Sequence, residues 1–179
     1  GILYAILMGG IAHAGVTAEA VVAARVALVA RDVDRANSLL MQARMSIPNE
    51  AELVDAALVG ELLYLEGLAQ RIMGDDRERD LNRFRDALSV YPRQAWAREI
   101  IDDKAARAYF EALRSEILQR PAVPTSVPEQ RGLLKAYVDG IEHVEMQAVR
   151  AGPHVAQVLC PDGAVAGVWT EFDEMVDWI

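Results

Sequence analysis

The chain has 179 residues, 27 of them acidic and 18 basic, a formal net charge of −9, and a single cysteine, Cys160. A chain of this length buries roughly 70% of its unfolded surface, enough for one medium domain with or without a small module, and needs no disulfide or metal to do so. The acidic balance argues against nucleic acid as a partner, because phosphate binding rests on basic patches that release counterions, and one cysteine excludes an internal disulfide.

Residues 2 to 15 form an apolar run, ILYAILMGGIAHAG, with Ala12, His13 and Ala14 in the small-x-small pattern of a cleavage site. This reads as the remnant of a signal peptide, residues 1 to 14, and hence as export to the periplasm or beyond. The run is too short to cross a bilayer as a helix, so no integral membrane span is expected. The competing reading is a buried first helix in a cytoplasmic protein.

From Thr17 to about Gln119 the sequence is alanine-rich and charged, with few glycines or prolines inside long segments. Five helices are predicted, at about 17 to 30, 33 to 47, 50 to 73, 76 to 91 and 93 to 119. Asn49 with Glu52, and Asp75 with Glu78, have the spacing of reciprocal helix caps, and Gly74 stands where a helix should stop. Pro48 and Pro92 close the two shorter segments.

These two proline-ended helices share a pattern. Ala36, Leu40, Ala43 and Pro48 stand at the same mutual spacing as Asp80, Phe84, Ala87 and Pro92, displaced by 44 positions. The larger side chain fills the gap toward a partner helix, the alanine one turn later lets two backbones approach, and proline stops the helix so that the next can fold back. The pattern resembles the second helix of a tetratricopeptide repeat, and LLYLEGLAQ, with Gly67, resembles its first. Gly67 is one residue out of register with Phe84, Asp80 stands where that family prefers alanine, and the spacing of 44 exceeds the family's period of about 34. The resemblance implies a mainly α chain: tetratricopeptide-like helical hairpins, an α-α solenoid over residues 15 to 119, followed by a small antiparallel β-module.

The helix expected at 50 to 73 carries Leu53, Ala57, Gly60, Tyr64 and Leu68 on one stripe, yet Val59 and Leu62 make its other side apolar as well. Such a helix is buried on both sides or lines a groove. In tetratricopeptide-like folds the first helices line the concave surface, so the resemblance implies a groove for a protein or peptide, with Tyr64, Glu66 and Gln70 as binding residues.

Three prolines within RPAVPTSVP mark residues 120 to 131 as a proline-rich linker. Beyond it, over 132 to 179, hydrophobic alternation replaces the helical period, and four strands are predicted at about 134 to 138, 143 to 149, 154 to 160 and 165 to 172. Asp139-Gly140, Ala151-Gly152-Pro153 and Pro161-Asp162-Gly163 punctuate them as turns. AYVDG followed by AVRAGPHVAQV is similar to the small β-module called PEGA, although that module's four-residue signature and its Gly-x-x-Pro are absent. This resemblance implies a bacterial envelope or surface setting.

No nucleophile elbow, phosphate loop, zinc-helix or C-x-x-C motif occurs. If Ala151-Gly152 formed a two-residue hairpin, His143 would stand opposite Cys160, a base beside a thiol. The acid pairs Asp75-Asp76 and Asp102-Asp103 read as a helix start and a solvated helical face. Trp96, Tyr109 and Phe110 read as core, and Trp169 and Phe172 as cover for the small sheet. The expectation is therefore a non-enzymatic scaffold or adaptor without metal or cofactor. Its alternatives are a cytoplasmic helical regulator and a cysteine-dependent enzyme using Cys160 and His143.

Overall fold

The computed structural model describes residues 15 to 74, 77 to 124, 135 to 143 and 148 to 172. Among them, five helices precede a small antiparallel sheet: α1 Val16–Val29, α2 Val33–Ser46, α3 Ala56–Met73, α4 Arg77–Val90 and α5 Lys104–Gln119. Helix α1 packs on α2 and α3 on α4 as hairpins, α2 and α3 join the pairs, and α5 lies against α4.

Each hairpin has a local cause. The α1–α2 turn has Arg31 in the left-handed region, φ 62°, while its N–H reaches Leu28 O and that of Asp32 reaches Ala27 O. This is the Schellman ending, with arginine where glycine usually stands. Gly74 ends α3 at φ 71°, as its place in the sequence predicts. Ala36, Leu40, Ala43, Phe84 and Ala87 are all buried, and Pro48 sits in a one-turn 3₁₀ segment, Ile47–Asn49. Pro92 follows α4 in a turn. A methyl group at Gly67 would lie 2.8 Å from the Phe84 ring, so only glycine permits the present approach of α3 and α4.

Two predicted helices are shorter than expected. The third begins at Ala56, not at 50, because Gln157 of the sheet claims the preceding backbone. Its Oε1 accepts from Val54 N at 2.8 Å, and its Nε2 donates to Glu52 O at 3.2 Å. Asp55 then caps α3, accepting from Leu58 N, while Asn49 is spent in the 3₁₀ turn. The fifth begins at Lys104, not at 93. Between Pro92 and Asp103 the chain is held by non-helical partners: Ala97 N donates to Tyr64 Oη at 2.8 Å, and Trp96 Nε1 to Ile101 O at 3.0 Å. The Asp75-Glu78 cap lies outside the described residues.

The larger sheet runs in the order β3 Ile141–Glu142, β2 Lys135–Val138, β5 Gly152–Leu159, β6 Val165–Phe172, all antiparallel. Asp139 and Gly140, at φ 49° and 76°, form the tight turn between β2 and β3 that an Asp-Gly pair predicts. Pro161 to Gly163 make the β5–β6 turn, closed by Gly163 N donating to Cys160 O. Of the strand expected over 143 to 149, residues 144 to 147 lie outside the described residues. Its end, β4 Ala148–Val149, pairs with β1 Val123–Pro124, which lies inside the expected linker.

The sheet is not a detached module. Gln157 ties β5 to the segment before α3, and β6 packs on the 3₁₀ turn, where a methyl at Gly167 would meet Pro48 Cα at 3.5 Å. Trp169 Nε1 donates to Arg44 O at 3.1 Å, and the Arg44 guanidinium lies 4.6 Å from the indole centroid. Trp169 therefore covers helix α2 and its arginine as well as the sheet. Helices and sheet share a boundary of hydrogen bonds and close backbone contacts.

Candidate functional site

Tyr64 does not line a groove. It is fully buried, and its ring stacks with Phe84, Trp96 and Phe110 at centroid distances of 5.3 to 6.2 Å. Burial pushes its hydroxyl well above the ordinary value, which keeps it neutral as the acceptor for Ala97 N. With Val59, Leu62, Leu63, Leu65 and Leu68 also buried, α3 is covered on both sides, which resolves the two readings of its all-round apolar surface in favour of burial. Phe110 belongs to the core as expected, whereas Tyr109 is exposed.

Glu66 is equally committed. Arg44 holds it through two bonds of 2.9 Å, and Arg83 Nε lies 3.1 Å from its Oε2. Arg83 also pairs with Asp86, whose carboxyl is raised above its ordinary value by burial, with Arg83 opposing. Gln70 is half-buried and its Oε1 has no hydrogen-bond partner. Of the three expected binding residues, then, one is core, one is the hub of an ion-pair network, and one keeps an unmet acceptor.

His143 and Cys160 are not opposite each other. His143 N donates to Ala136 O on one side of β2, while β5, whose last residues precede Cys160, pairs on the other side. The expected hairpin fails because β5 takes β2 and β6 as neighbours. His143 is buried, and burial lowers its imidazole below the ordinary 6.5.

His154 is held through both ring nitrogens. Its Nδ1 lies 2.6 Å from Asp139 Oδ2, its Nε2 lies 2.7 Å from Arg150 O, and Asp139 Oδ1 accepts from Val155 N. Both ring nitrogens face oxygen acceptors, so neither is left to activate a nucleophile such as Ser89 across the adjoining cleft. The arrangement fastens the β2–β3 turn to β5.

A second constellation lies where four elements converge. Arg71, near the end of α3, donates to Asp80 Oδ2 on α4 at 3.0 Å and to Asp103 Oδ2 at 2.8 Å. The bond to Asp103 is the main influence raising the Arg71 guanidinium above its ordinary value. Asp103 is therefore the cap of α5, accepting from Ala105 and Ala106 N, and not a residue on a solvated helical face. With Arg31, Ile72, Gly74 and Ile101 these groups line a cleft of about 510 Å³. Asp80 had one signal in the sequence, as the residue that departs from the tetratricopeptide pattern. Asp103 stood out only as half of an acid pair, and Arg31 and Arg71 had no signal, because these groups meet only in three dimensions.

Among the described residues, no group of histidine, cysteine and acidic side chains is arranged to hold a metal ion, and no helix is long and apolar enough to cross a membrane. The pair Asp75-Asp76 lies outside the described residues. No protein family, curated protein or solved structure matches this chain.

Proposed function

We propose that this chain is a non-enzymatic interaction protein whose partner-binding surface is the outer face of α1, not a groove beside α3. The observation that carries the reading is the stripe Val22, Val26 and Val29 on that helix, 64%, 65% and 46% exposed, while Ala20, Val21, Ala24 and Leu28 face the core. Valines at this spacing cover one helical face, and a concentrated apolar strip on an outer helix is the usual anchor for a helix of a protein partner. Exposed Met41 and Met45 on α2 supply adaptable apolar surface of the kind that tolerates varied partners.

The setting we propose is a bacterial envelope, supported by the apolar run of residues 1 to 14 and the PEGA-like pattern. The tetratricopeptide-like reading agrees with the buried Ala36, Leu40, Ala43, Phe84 and Ala87 and with the Gly67 contact.

The test is quantitative affinity capture with chemical cross-linking in the native host, comparing the wild type with Val22→Asp/Val26→Asp. Both side chains are exposed, so the fold should survive, and circular dichroism checks that it does. Loss of cross-links at α1 together with loss of the captured proteins is the expected result. Unchanged capture by the double variant would overturn the assignment of this face.

A further inference from the structure

We infer that the cleft between the α1–α2 turn and the starts of α4 and α5 is a binding site for a free α-amino acid with an aliphatic side chain. Its volume of about 510 Å³ falls within the range of small-molecule pockets. Among the described residues, the ionisable groups that line it are Arg31, Arg71, Asp80 and Asp103, two of each sign. Arg71 is occupied by the two aspartates.

Two groups of the lining are open to a ligand. Arg31 is exposed, and its guanidinium makes no hydrogen bond or ion pair among the described residues, so a ligand meets it by displacing water. Asp80 is 1% exposed, yet its Oδ1 has no hydrogen-bond partner. A buried carboxylate oxygen without a donor is costly and rare in folded proteins, and a bound water or ligand is what satisfies one.

A zwitterion matches both groups. Its carboxylate can pair with the guanidinium fork of Arg31, and its ammonium can donate to the Asp80 side of the cleft. Ile72 and Ile101 give an aliphatic side chain an apolar wall. A phosphate ester or dicarboxylate would bring a second negative charge against Asp80 and Asp103, and a simple amine would leave Arg31 unmatched. This inference is independent of the α1 surface and stands or falls separately from it.

The experiment is isothermal titration calorimetry of the full chain with L-leucine as probe, beside isocaproate, which lacks the ammonium, and isoamylamine, which lacks the carboxylate. Saturable one-to-one binding of leucine is expected, with each analogue at least about tenfold weaker. Arg31→Gly removes the proposed carboxylate partner at a backbone position that glycine adopts without strain, so it should fold at least as well while binding at least about tenfold more weakly. Asp80→Asn should bring leucine and isocaproate to similar affinity. Absence of saturable heat with leucine at millimolar concentration overturns the inference. So does equal binding of isocaproate by the wild type, or wild-type affinity in Arg31→Gly.

Discussion

Gly67 shows how far one missing carbon can reach. Its Cα faces the Phe84 ring so closely that a methyl would overlap it, and Phe84 is itself enclosed by Tyr64, Trp96 and Phe110. Gly67→Ala should therefore cost about 1–3 kcal/mol despite alanine's better helix propensity, read as a lower urea midpoint. Tyr64→Phe keeps the ring but strands the buried Ala97 N–H, at about 1–3 kcal/mol by the same assay. His143 gives a pH dependence. Its folded value lies below the unfolded one, so between the two the unfolded chain binds more protons and stability rises with pH. Denaturation at pH 7.5 and 5.5, values that bracket a free histidine, should show lower stability in acid, and His143→Gln should flatten that slope. Packing residues of this kind were legible in the sequence, because Leu40, Phe84 and the alanines repeat a spacing. Tyr64 was harder to place, since a stripe of apolar residues does not say which side is covered.

At the scale of elements, legibility depended on whether the deciding contact was local. Gly74 and the Asp139-Gly140 turn act through their own backbone conformations and could be placed from sequence. The starts of α3 and α5 could not. Asn49 with Glu52 offers a plausible local cap, but the side chain of Gln157, more than a hundred positions away, holds Val54 and leaves Asp55 to do the capping. Asp55→Ala should thus cost about 1 kcal/mol, whereas Asn49→Ala should fall within about 0.5 kcal/mol of the wild type, both by thermal or urea unfolding. Strand order was also hidden, since Ala151-Gly152 looks like a hairpin until β2 is seen to pair with β5. The residues of the cleft come from the α1–α2 turn, α3, α4 and the loop before α5, so no single window of sequence contains them.

For the whole molecule, the joining of sheet to helices changes what can be cut. A chain ending at Gln119 keeps every helix but loses the Gln157 and Trp169 bonds and the cover of Val155 over the helical core. It should melt at lower temperature and with a broader transition than the full chain, as followed by the helical circular dichroism signal. Sharp melting at the wild-type temperature would mean that the sheet contributes nothing to the helices.

The bonds from Gln157 and Trp169 to residues 54, 52 and 44 span 103, 105 and 125 positions. A ribosome adds roughly 5–20 residues per second, so these partners are made on the order of ten seconds after the segment they hold. During that interval the nascent chain can form its helical hairpins, but the backbone ahead of α3 is without its clamp and the Asn49 cap has no competitor. The native start of α3 is thus settled only when Gln157 arrives.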